Sequence, residues 1–74
     1  MTTQYALCAL GYECPPVFDT LIEAKRVMAD NVKADRVMSS NKLVAIRHSP
    51  IHIELKIGCQ QSVHTWSEYW IVEI

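Results

Sequence analysis

The sequence predicts an α+β fold: an antiparallel sheet of four to five strands with one helix packed on one face, in the order β-α-β-β-β-β. Three observations predict it. Leu21, Ala24, Val27 and Met28 recur at three- and four-residue spacing, which makes one apolar stripe on a helix. In IHIELKI (51–57) the period drops to two, with Ile51, Ile53, Leu55 and Ile57 on one side and His52, Glu54 and Lys56 on the other. The chain then closes on WSEYWIVEI (66–74), a β-rich aromatic strand.

Each element follows in order. YALCAL (5–10) is apolar at both parities, as in a strand covered on both faces or a central strand with a partner, and Cys8 within it is expected in the core. GYECPP (11–16) breaks regular structure, because Gly11 relaxes the backbone and Pro15–Pro16 removes two amide donors in succession. A helix is expected over about 19–31. Asp19 or Thr20 caps it, Thr20 and Glu23 fit the S/T-x-x-E capping box, and Asn31 is a stop. Beyond it RVM (36–38), the loop SSNK and LVAIR (43–47) read as a hairpin. The alternative is that VKADRVMSS (32–40) forms a second short helix with Ala34, Val37 and Met38 inward. Ser49–His52 reads as a type I turn, with Ser first and Pro50 second, so His48 closes one strand and His52 opens the next. GCQQSVHT (58–65) is expected to be a connecting loop.

Composition bounds the function. Residues 1–74 suffice for a single compact domain, and a chain of this size buries only about 60% of the surface its unfolded form exposes, so it gains from a partner. Half the residues are hydrophobic, too many for disorder. Seven Lys/Arg against eight Asp/Glu give a net charge of −1, which argues against general nucleic-acid binding. The densest basic segment, Lys25, Arg26, Lys33 and Arg36, is interleaved with Asp19, Glu23, Asp30 and Asp35. TTQYALCALGY has no basic region before it and falls short of the roughly 20 apolar residues of a membrane span, so a soluble, intracellular protein is expected. Cys8, Cys14 and Cys59 are odd in number and expected reduced.

The stretch RHSPIH (47–52) sets two histidines four apart, a spacing that shares a face only on a helix. Pro50 between them favours a turn instead, and Cys8 and Cys14 are too far apart for the tight pair of a structural zinc site. Cys14 precedes a helix N-terminus, where a thiol becomes more acidic, yet four residues and two prolines intervene and no histidine is near it in sequence. There is no CxxC pair, and with only Gly11 and Gly58 there is no glycine-rich phosphate loop. No catalytic residue, metal or cofactor is therefore expected, and the chain is read as a non-enzyme.

What remains is surface. On a strand, Trp66, Glu68, Trp70, Val72 and Ile74 share one face of the last segment, and Tyr69 and Ile71 the other. Both faces carry large apolar groups, but one helix covers only one face. Trp66 and Trp70 are either core or contact, and Tyr69 and the loop residue Tyr12 are candidate exposed anchors. The helix face with Lys25, Arg26, Lys33 and Arg36 is the candidate polar reach toward a partner.

An initial strand, a helix of the type TLIEAKRVMADN and a late aromatic strand such as WSEYWIVEI make a layout that resembles small phage-encoded inhibitor proteins, including some anti-CRISPR proteins. The resemblance covers most of the chain as an order of elements, and at residue level the EAKR-V-A portion. It implies a non-enzymatic, phage-derived protein that binds and blocks a bacterial defence complex in the cytoplasm of the host cell, with a CRISPR effector complex as the first candidate. The partner would be a protein or ribonucleoprotein, with no sequence-specific nucleic-acid contact and no membrane. The first rival is a homo-oligomeric structural or regulatory module, such as a homodimer closed through its sheet face. The second is a thiol- or metal-dependent enzyme.

Overall fold

Five strands form one antiparallel sheet in a computed structural model that describes residues 3–40, 42–59 and 62–74. In chain order the elements are β1 (Tyr5–Ala9), β2 (Val17–Phe18), α1 (Leu21–Met38), β3 (Leu43–Ser49), β4 (His52–Cys59) and β5 (Ser62–Glu73). The strands lie side by side as β2-β1-β5-β4-β3, and α1 packs on one face. The α+β class with a single helix on an antiparallel sheet is thus the one the sequence predicts. Asn41, Gln60 and Gln61, within loops expected at 39–42 and 58–65, lie outside the described residues.

The core follows from two periodicities. Ala24, Met28 and Val32 recur every four residues along α1 and are buried. They meet Leu7 and Ala9 of β1, Ile53 and Leu55 of β4, Tyr69 and Ile71 of β5, and Leu43 of β3. Leu7 and Leu55 are fully buried. Cys8 has the opposite parity to Leu7 and Ala9, so it falls on the outer face, half-buried and opposite Trp70, and not in the core. Gly11 turns the chain after β1. Tyr12 N–H donates to Ala9 C=O at 3.2 Å with Gly11 at φ +88°, the left-handed conformation that a type II turn requires at its third position.

Three local expectations are corrected. The helix does not stop at Asn31. Its buried repeat continues to Val32, the Asn31 side chain bonds outward to the Tyr12 hydroxyl, and Asn is only mildly unfavourable in a helix. Residues 36–38, expected as a strand, are the last turn of α1, so 32–38 continues the first helix and forms neither a strand nor a separate helix. The stop comes at Ser39, whose N–H donates to Asp35 C=O and whose Oγ donates to Arg36 C=O, with Ser40 left-handed at φ 57°. Thr20 is the N-cap as expected, its Oγ1 accepting from Glu23 N–H at 3.2 Å. Finally, most of the loop expected at 58–65 is strand, because Gly58↔Val63 and Cys59↔Ser62 continue the β4–β5 ladder.

One side-chain bond fixes α1 to the sheet. The Tyr69 hydroxyl donates to Asp35 Oδ2 at 2.6 Å, joining the middle of β5 to the last third of the helix. Burial, reinforced by the Asp35 carboxylate, pushes the Tyr69 phenol from 10.0 up to about 12. Because the folded value lies above the ordinary one, this stabilisation is complete below pH 10.0 and is lost as pH rises toward about 12. Tyr69→Phe is expected to destabilise the chain by about 1–2 kcal/mol in urea unfolding at neutral pH. The loss of stability on raising the pH through that window should be smaller in the variant than in the wild type.

Candidate functional site

The width of the sheet creates the candidate site. Strands lie about 4.8 Å apart and the register staggers them, so at most four stand side by side, as in Arg47↔Ile53↔Tyr69↔Ala9, a width of about 14 Å against about 10 Å for a helix with its side chains. α1 packs mainly on β1, β2 and β5. The inner face of β3 and β4 is therefore left partly open beside it, as a cleft of about 370 Å³. Its apolar lining comes from Met28, Ala29 and Val32 of α1 facing Ala45 and Ile53, with Pro50 at the hairpin end. Its charged lining is Lys25, Arg36 and Arg47. No carboxylate lines it, and among the described residues none forms an ion pair with these three cations.

The local sequence explains this gathering. Lys25, Ala29, Val32 and Arg36 are four, seven and eleven residues along, which keeps them on one flank of the buried stripe. Arg47 continues the inward parity of Leu43 and Ala45 on β3, whose register partners Ile57, Leu55 and Ile53 face the helix side. An apolar floor with three fixed positive charges can hold a group that is itself part apolar and part anionic.

Of the residues singled out in the sequence, Lys25 and Arg36 meet at this cleft. Arg26 and Lys33 sit about 100° and 80° round the helix from Lys25 and do not line it. Tyr12 is exposed, and its hydroxyl accepts from Asn31 Nδ2 at 3.2 Å. Tyr69 is corrected: at 6% exposure it is a core residue bonded to Asp35, so it offers no exposed anchor. Arg47 was missed. Its signal was parity, since Leu43-Val44-Ala45-Ile46-Arg47 puts the arginine on the side of the core residues.

The opposite face of the sheet carries a polar ladder between apolar margins. Glu54 and Glu68 are cross-strand partners, a repulsive pairing that the two histidines offset. His52 Nε2 contacts Glu68 Oε2, and His48 Nε2 lies 3.1 Å from Glu54 Oε1. The two rings lie 4.7 Å apart at the hairpin, each against a carboxylate. Among the described residues no group of three or more His, Cys, Asp or Glu side chains is arranged to hold a metal ion. Around this ladder lie Val44 and Ile46 on one margin, and Trp70, Val72 and Val17 on the other. Trp66 is exposed and is the unpaired residue of a bulge, where the register passes from Leu55↔Ser67 to Lys56↔Thr65.

Comparison with protein-family models, curated proteins and solved structures returned no match in any of the three. No helix among the described residues is long and apolar enough to cross a membrane.

The ladder has a pH signature. Hydrogen bonding to His48, and then to Thr65 Oγ1 at 2.8 Å, holds the Glu54 carboxyl below the ordinary 4.5. A depressed folded value contributes stability above pH 4.5 that is lost as the pH falls below it. Unfolding midpoints measured on acidification should drop for the wild type, and drop less for Glu54→Gln. Equal drops would remove Glu54 from the acid response.

Proposed function

We propose that this chain is a non-enzymatic interaction protein that binds a bacterial defence complex and blocks it by occupying a surface, with a CRISPR effector complex as the first candidate. The observation that carries the reading is the share of so small a chain given to surfaces suited to binding. One helix leaves a cation-lined cleft on its own side of the sheet and an apolar-margined face on the other. The cleft uses Lys25 and Arg36 from the segment expected to reach a partner. The target class rests on the layout likeness to small phage-encoded inhibitors, and with it the expectation of a host-cell cytoplasmic site of action.

A second reading, a homo-oligomeric module, is favoured by a specific feature. Val72 and Val17 are each more than 40% exposed on the face that α1 does not cover, close to the half-buried Trp70. A second copy laid on that face would bury them.

The deciding experiment is capture of the tagged chain's partners from bacterial lysates with and without a CRISPR system, read by mass spectrometry. Effector subunits in stoichiometric amount are expected from the first lysate. Capture of the chain's own copies alone, together with a dimer mass in light scattering, would overturn the inhibitor reading in favour of the module.

A further inference from the structure

We propose that β3 is a docking edge, at which an extended acidic segment of a partner protein adds as a further strand and places its carboxylates among Lys25, Arg36 and Arg47. The inference rests on the interaction reading above and assigns it a surface and a partner chemistry.

The first ground is the edge itself. β3 is the last strand of the order β2-β1-β5-β4-β3, so alternate N–H and C=O groups along Leu43–Ser49 point away from the sheet. The opposite edge is blunted in two ways: β2 has only two residues and follows Pro15–Pro16, and where β5 runs past β1, at residues 62–67, the bulge at Trp66 bends it. β3 is guarded only toward its C-terminal end, by the inward-facing Arg47. It is seven residues long with no proline or lysine, its bulge falls only at its end between Arg47 and Ser49, and Val44 and Ile46 are 64% and 37% exposed.

The second ground is what lies beside that edge. A strand added next to β3 alternates its side chains between the two faces of the sheet. One set would extend over Val44 and Ile46, and the other toward Arg47 and the cleft. The cleft is apolar beneath and carries three cations with no carboxylate among its lining residues. The matching segment therefore alternates acidic with aliphatic residues. Backbone pairing would supply affinity, and the charges would fix register and partner choice.

Charge also selects among occupants. A second copy pairing β3 with β3 would bring its own Lys25, Arg36 and Arg47 toward the same three residues, a like-charge arrangement that opposes association. A polynucleotide would satisfy the cations but offers no row of amides to complete the ladder.

The test uses the full chain and a synthetic peptide of about eight residues alternating glutamate and valine, long enough to span the seven residues of β3. Binding is followed by fluorescence anisotropy and amide hydrogen exchange. The peptide is expected to bind, to protect alternate amides within Leu43–Ser49, and to lose affinity about tenfold or more with Arg36→Glu plus Arg47→Glu. Both positions are exposed, and Arg47→Gln alone provides a milder variant should the double change unfold the chain. Absence of binding overturns the proposal. So does binding without new protection in β3, or equal binding by a lysine–valine peptide or by oligothymidylate. If wild-type and doubly reversed chains capture the same lysate partner equally, the docking edge fails while the interaction reading stands. If the wild type captures no partner, the interaction reading fails and the peptide titration still decides the edge.

Discussion

The constraint on which the molecule depends is a mismatch of widths. A single helix, about 10 Å across, has to cover one face of a staggered sheet up to four strands, about 14 Å, across. α1 resolves this by lying over the β2-β1-β5 side, where Leu7, Ala9, Tyr69 and Ile71 supply a continuous apolar bed. The Tyr69–Asp35 bond then ties the last third of the helix to that side. Everything left over on the inner face collects at β3 and β4. The cleft is the direct geometric remainder of where the helix sits, and its cations are the residues at the boundary between covered and open sheet.

The outer face answers a different demand, that of meeting solvent without a cover. Its centre is polar because His48, His52, Glu54, Lys56, Thr65 and Glu68 meet across three neighbouring strands. The two bulges serve this arrangement. His48 is the extra residue where the β3–β4 register slips, which leaves it beside His52 and Glu54, and Trp66 is the extra residue where β4–β5 slips, which leaves Thr65 facing Glu54. Small residues on the same face of β1, Ala6 and Cys8, lie low between the larger Val72 and Trp70 opposite them.

The parts of the fold that were legible in the sequence are those where a local pattern and the tertiary demand agree. HIELKI alternates cleanly because one side faces the helix and the other faces solvent, while Ile51, expected on the inward side, is an exposed turn residue. Ser49 and Pro50 mark a tight connection that the structure makes between Ser49 and His52. The rest was hidden for separate reasons. Asn31 looks like a stop, but its side chain bonds to Tyr12 and the buried repeat passes it by. Val17–Phe18 is a strand only by virtue of pairing with Tyr5 and Ala6, and two residues carry no period of their own. A bulge at Trp66 shifts the alternation by one, so 58–65 loses its phase against the clean segment that follows. Lys25 and Arg36 were legible as a reach, yet their convergence with Arg47 depends on where the helix stops short across the sheet, and no single segment encodes that.

The unequal edges of this sheet set a limit on assembly. A sheet with two receptive edges lets each newcomer offer a fresh edge to the next, and the end point is a fibre. Here the far side ends in two residues behind a pair of prolines, and the part of β5 that runs past β1, residues 62–67, is bent by the bulge at Trp66. Growth beyond one step meets only short or bulged edges. The geometry thus favours complexes of small, fixed stoichiometry, and it lets the chain carry a bare seven-residue edge at high concentration with little tendency to polymerise.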